Sequence, residues 1–182
     1  MTVMNLLPGQ KISFRKLETI ESGWIEIPDA QKTIHLQFRR FAGCPFCNVH
    51  LKTFIQRHNE IVAAGIREVV VFRSTASALQ QHHGNAPFAI IADPRGALYD
   101  EYGVGYGLRA LADPRAFSMA LSKIIRMYPR LPGLPTEKKA ALGLPADFLI
   151  TSDGRVLTCK YGKHADDQWS VDELLNFATR HV

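Results

Sequence analysis

The sequence predicts an α/β domain with a mixed central sheet flanked by helices, and three observations carry that expectation. Apolar runs of strand length alternate with segments of helical periodicity, the pattern of a partly parallel sheet covered by helices. The run "IREVVVF" is almost continuously apolar and β-branched, as in a strand buried on both faces. Near the end, "PADFLITSDGRVLTCKYG" reads as two strands about a Ser152-Asp153-Gly154 turn, which adds a hairpin.

In chain order, "GWIEIP" and "TIHLQFRRF" alternate with period two through Trp24, Ile25 and Ile27, then Ile34, Leu36 and Phe38. They read as two strands joined by the "PDAQK" turn. "PFCNVHLKTFIQRHNEIVAAG" has Phe46, Val49, Phe54, Ile55, Ile61 and Val62 near helical spacing and stops at Gly65. That predicts a helix, and with "IREVVVF" a parallel crossover. "STASALQQHH" carries a Ser/Thr cap signal, "PFAIIAD" is a further short strand, and "PRGALYDEYG" reads as a helix opened by Pro94 after Asp93. Residues 103–143 break the alternation with one helix expected over Pro114–Met127 and a Pro-rich loop, and read as a helical insertion before the hairpin. Within it, "YGVGYG" follows a helix and not a strand, so it reads as a hinge and not as a phosphate loop. Ser170 stands three residues before Glu173, a capping-box spacing that opens a closing helix. One domain spanning 1–182 is expected.

A chain of 182 residues with 46% apolar content can close a sizeable core. No window approaches the roughly 18 consecutive apolar residues of a membrane span. The opening "MTVMNLLPGQ" lacks Lys, Arg and a small-residue cleavage signal, so the cytoplasm is the expected compartment. The net charge is +5, but the basic residues are scattered, which argues against a nucleic-acid partner. Arg39-Arg40 and Lys138-Lys139 read as solvated surface.

Chemistry concentrates in "RRFAGCPFCNVHLKTF". With Cys44 as N-cap, Pro45 falls at the first helical position and Cys47 in the first turn. The unpaired amides and the dipole there favour a thiolate over a thiol whose free pKa is about 8.5. The spacing also lets the two sulfurs reach disulfide distance. Cys44 can then attack a substrate disulfide and Cys47 can resolve the mixed disulfide. Two other readings stay open: a zinc site drawing on Cys44, Cys47, Cys159 and His164, and buried inert thiols. Cys159, within alternating "VLTCKYG", reads as a core residue. No cofactor is expected.

Strand, C-P-x-C, helix, strand, and a later "GLPADFLI" resemble the thioredoxin-like superfamily. That resemblance implies a cis-proline at Pro145 facing the cysteines and shaping a substrate groove. "LPGQKISF", "FAIIADPRGALYDEYGV" and "ADFLITSDGRV" are similar to the peroxiredoxin-like branch, the alkyl hydroperoxide reductase and thiol-specific antioxidant group. The peroxiredoxin pattern P-x-x-x-T-x-x-C is not reproduced. Aligned on Cys47 it puts Arg40 and Cys44 at the Pro and Thr positions, aligned on Cys44 it puts Gln37 and Phe41 there, and Pro145 lies near the usual catalytic arginine. The expected function is a thiol-disulfide oxidoreductase on a peroxiredoxin-like scaffold, with a thiol peroxidase as alternative and a zinc-binding or partner-binding module as a third reading. For peroxide cleavage, which needs donors to the leaving oxygen, Arg40 or Arg109 is the candidate positive donor in place of that arginine. Protein disulfides or peroxides are the expected substrates, a thiol the electron donor, and a second copy of the chain a candidate partner; no membrane partner is expected.

Overall fold

The computed structural model describes residues 5–107 and 142–179. Five strands form its main sheet: β3 (Thr33–Arg39), β4 (Ile66–Phe72), β5 (Ala89–Ala92), β6 (Ala146–Ile150) and β7 (Val156–Tyr161), in spatial order β5-β4-β3-β6-β7. β3 pairs parallel with β4, and β4 with β5, whereas β6 runs antiparallel to both β3 and β7. The sheet is therefore mixed, as the crossover and hairpin signals require.

β1 (Arg15–Glu18) and β2 (Trp24–Ile27) form a separate antiparallel ribbon. β1 was not foreseen; β2 and β3 are joined by "PDAQK" as read, but β2 pairs with β1 and lies outside the main sheet. β2 alternates between exposed and buried residues, and its inward Ile25 and Ile27 cover one face of the main sheet. That face holds Ile34, Leu36 and Phe38 of β3 with Val69, Val71, Phe148 and Tyr99. Rings of Tyr99, Tyr102 and Phe148 lie 5.0, 5.2 and 5.8 Å from Phe38, within the range where aromatic pairs add to burial.

The opposite face lies under α1 (Pro45–Gln56), α2 (His58–Ala63), α3 (Ala76–His83) and the closing helix, here α5 (Val171–Thr179). The single helix expected up to Gly65 is broken at Arg57, whose φ of −108° and ψ of 18° leave the helical region. Arg57 serves as the end of α1 and the start of α2, and its guanidinium ties Glu60 to Asp172 of α5. Thr75 caps α3 through its side chain. Ser170 and Glu173 exchange the two bonds of a capping box, 2.7 Å from the Ser170 amide and 3.2 Å from the Glu173 amide.

α4 (Ala97–Glu101) begins later than Pro94. The Asp93 carboxylate accepts the amides of Gly96, Ala97 and Leu98 at 2.8–3.0 Å, so it caps the helix from three residues farther back than the Pro signal implies. The helix expected over Pro114–Met127 lies outside the described residues, as does Arg109.

Candidate active site

β3 ends at Arg39, and the chain turns through Arg40 to Gly43 before Cys44 caps α1. Cys44 is extended, with φ −65° and ψ 113°, and Pro45 opens the first turn. The Cys44 sulfur accepts the Cys47 backbone N–H at 3.4 Å, taking the place of the oxygen that usually caps a helix. Arg40 brings its Nη1 to 3.7 Å from the same sulfur. The loop is pinned from both sides: the Ala42 amide donates to Ser74 Oγ at 3.0 Å, and His83 Nε2 donates to the Ala42 carbonyl at 3.2 Å. Burial pushes His83 down to about 4, so this donor is neutral at physiological pH.

Both thiols are fully buried, packed with Leu51, Val70, Phe72 and Leu79. Burial acts to raise Cys47, but its hydrogen bond with Cys44 and the charge of Arg40 outweigh it and bring Cys47 to about 7. Cys44 is pushed well up, by burial first and then by the neighbouring sulfur of Cys47. The pair thus holds one negative charge near neutral pH and resists a second. Arg40→Gln should raise the pH midpoint of thiolate formation by about one unit, roughly 1.4 kcal/mol. Thiolate absorbance followed against pH checks this, and an unmoved midpoint would remove Arg40 from the pair's electrostatics.

Arg39 and Arg40, expected on the surface, are 0% and 3% exposed. The reason is the helical cover on the second face of the sheet, which buries the polar side of β3 as fully as its apolar side. There His35, Gln37 and Arg39 meet Glu68 of β4 and Asp147 of β6. Asp147 Oδ1 accepts from Arg39 Nη2 at 2.8 Å and lies 3.2 Å from His35 Nε2, while its Oδ2 accepts the Trp169 amide at 3.2 Å. Gln37 bridges Arg39 Nη2 at 2.6 Å to Glu68 at 3.0 Å. Glu68 also lies 3.6 Å from His35 Nδ1 and 3.5 Å from His58 Nδ1.

Burial raises Asp147, but Arg39 and His35 overcome it and hold the carboxyl well below the usual range. For His35 burial works against the imidazolium, yet Asp147 and Glu68 outweigh it and raise the value. One turn along α1 from Cys47, His50 is pushed down to about 3 by burial and the Arg39 charge, and its neutral ring donates to the Trp169 carbonyl at 2.7 Å. Arg39 also lowers Cys47, which links this network to the dithiol. None of it was anticipated from the sequence.

Pro145 is buried immediately before β6, whose Ala146 pairs with Phe38 near the β3 end that leads to the dithiol. Its carbonyl accepts the Gly162 amide at 2.8 Å, and a Cβ on Gly162 would come within 2.7 Å of its ring. The expected cis bond is not found there: among the described residues the cis bond is Ile27–Pro28, and Leu144–Pro145 is trans, the form X-Pro bonds favour by about 0.5–1 kcal/mol. Cys159 sits on β7 with its thiol 3.4 Å from the Leu6 carbonyl. Among the described residues no group of three His, Cys, Asp or Glu side chains could hold a metal ion, and no helix is long and apolar enough to cross a membrane.

No curated protein matches the sequence. Among solved structures the fold is similar to peroxidoxin BcpB from Mycobacterium tuberculosis, with TM-score 0.71 and 14% identity over 98% of this chain and 99% of that one. A peroxiredoxin-like protein from Aquifex aeolicus gives TM-score 0.67 and 14% identity over 100% and 91%. StoA from Bacillus subtilis gives 0.58 and 17% over 91% and 96%. The family described as AhpC/TSA antioxidant enzyme matches residues 50–164, beginning just after the dithiol. With more than half of its length matched in that way, the chain belongs to the AhpC/TSA antioxidant enzyme family and is a thiol-based oxidoreductase of peroxiredoxin-like, thioredoxin-like fold.

Proposed function

We propose that the protein is a cytoplasmic dithiol oxidoreductase that reduces disulfides through Cys44 and Cys47, with Pro145 bordering the substrate groove. The observation that carries this reading is the hydrogen bond between the Cys44 and Cys47 thiols, beside the capping bond from the Cys47 amide to the Cys44 sulfur. The lower pKa falls on Cys47, which takes hydrogen bonds from the Cys44 thiol and the Arg40 backbone, while the Cys47 amide and the Arg40 guanidinium reach Cys44; the attack is assigned to Cys44 because it stands at the helix start. Cys44 thiolate attacks one sulfur of the substrate, the substrate S–S bond breaks, and the departing thiolate takes a proton. Cys47 then loses its proton and attacks Cys44, releasing the second thiolate. The substrate has gained two electrons, the protein holds a Cys44–Cys47 disulfide, and a thiol donor returns the two electrons.

Peroxide reduction is the second reading, favoured by family membership and by Arg40 beside the sulfur. It lacks a threonine hydroxyl at the position the peroxiredoxin pattern requires, so wild-type peroxide turnover should fall below the usual enzymatic range of about 10⁴–10⁸ M⁻¹s⁻¹. The deciding experiment combines mass mapping of the oxidised protein with stopped-flow rates toward insulin disulfides and hydrogen peroxide. A reversible Cys44–Cys47 bond with disulfide turnover is expected. Peroxide rates inside that range would reverse the order, and a dominant bond to Cys159 would overturn the assignment of Cys47.

A further inference from the structure

Arg73 is the first residue beyond β4, and its amide donates to the carbonyl of Arg40, the first residue beyond β3, at 3.2 Å. It therefore stands at the end of the sheet where the dithiol loop begins, the carboxyl end of parallel strands at which open α/β sheets take their ligands. Its side chain is only 6% exposed, yet Nε and Nη2 are covered without any hydrogen-bond partner. Among the described residues no carboxylate pairs with it. The neighbouring Asp93 spends both oxygens on the amides of α4, and the Tyr99 hydroxyl donates to the carbonyls of Arg39 and Val71.

The guanidinium is instead held by shape. Its centre lies 4.3 Å from the ring of Tyr99 and 4.3 Å from that of Tyr106, between two aromatic faces. Gly96 closes a third side: a Cβ there would stand 2.6 Å from Nη1, so the slot exists because that residue has no side chain. A cation enclosed this way with nitrogens unanswered is costly to bury, and an anion joining it would offset that cost. The two walls differ. Tyr99 is 1% exposed and lies in the core, whereas Tyr106 is 44% exposed and is the wall that faces solvent.

We infer that Arg73, between Tyr99 and Tyr106, is an anchor for a carboxylate carried by the small disulfide that exchanges with Cys44, an inference that rests on the disulfide-reductase reading. A planar guanidinium fork matches a planar two-oxygen anion. A single fork in an enclosed slot suits one carboxylate of a low-molecular-weight compound. The substrate class is thereby narrowed to carboxylate-bearing small disulfides in preference to neutral ones.

The test compares two disulfides of similar size, dithiodiglycolate with two carboxylates and 2-hydroxyethyl disulfide with none. The ratio of kcat/KM for the first over the second should fall about tenfold or more in Arg73→Gln, the loss expected for one charge-assisted pair, and by a smaller factor in Arg73→Lys, which keeps the charge without the fork. Thiodiglycolate, which has the carboxylates but no S–S bond, should bind the reduced protein saturably in an NMR titration, shifting the amides of Gly96 and Tyr106, and Arg73→Gln should abolish this. An unchanged ratio, or no saturable thiodiglycolate binding to the wild type, overturns the anchor. If the wild type reduces neither disulfide, the reductase reading fails while the titration still decides the Arg73 site. If Arg73→Gln does not fold, Arg73→Lys carries both measurements, and equal effects on the two disulfides would show a structural role only.

Discussion

Cys44→Ser should abolish disulfide reduction, lowering turnover by about 10³-fold or more, as loss of an enzyme nucleophile does. Cys47→Ser should behave differently: one substrate thiol adds to Cys44 and stays there, because no second sulfur remains to release it. The asymmetry follows from the helix start. The Cys44 sulfur receives the Cys47 amide at 3.4 Å and Arg40 at 3.7 Å, two donors that steady a negative sulfur. Opposing this, the lower pKa, about 7, falls on Cys47. Mass spectrometry of each variant after reaction with an excess of disulfide separates the two assignments. A stable adduct on Cys47 in the Cys44→Ser protein, with none on Cys44 in Cys47→Ser, would exchange the roles. Both thiols are covered, so attack also waits on the loop held by Ser74 and His83. Loosening that loop with Ser74→Ala should speed alkylation of the reduced dithiol without changing which sulfur reacts first.

The parts of this molecule legible in the sequence are those set by local chemistry. A Cys-Pro opening can cap a helix wherever it lies, Ser170 and Glu173 form a capping box from spacing alone, and the β-branched run of β4 has few alternatives to a buried strand. What escaped notice depends on what lies opposite. Arg39-Arg40 looked like surface because charges usually are. Only the pairing of His35 with Glu68 and of Gln37 with Asp147 across neighbouring strands, under α1 and α5, makes an interior out of the polar side of β3. The available signal was positional: β3 leads directly into the dithiol and adjoins a strand buried on both faces, so its polar side had to be covered as well. Arg73 carried no such signal, since its slot is made by Gly96, Tyr99 and Tyr106, well separated along the chain. Pro145 was expected in cis from resemblance alone, and its contacts with Gly162, whose amide donates to the Pro145 carbonyl, join residues that sequence spacing does not bring together.

The largest loss of stability should come from Asp147→Leu. That change strands Arg39 and His35 without their shared carboxylate and leaves the Trp169 amide without its acceptor. Breaking a fully buried pair from one side costs about 3–5 kcal/mol, a large part of the 5–15 kcal/mol that holds a typical domain. The double variant Arg39→Met/Asp147→Leu should recover much of the loss, because apolar replacement of both partners removes the desolvation cost along with the attraction. The pH dependence is signed. Asp147 has a depressed value in the folded protein, so its contribution is complete above the ordinary carboxylate value of 3.8 and is lost as the pH falls through the lower folded value. His35 has a raised value, so its contribution is complete below the ordinary 6.5 and is lost as the pH rises through the higher folded value. Between about pH 4 and 6.5 both are in force, and the stability gap between wild type and Asp147→Leu should be widest there and narrow on the alkaline side. Urea unfolding at a series of pH values measures it. A gap below about 1 kcal/mol, the size of an exposed pair, or one that does not narrow as the pH rises above the ordinary histidine value, would show that Asp147 does not hold Arg39 and His35 as charged partners.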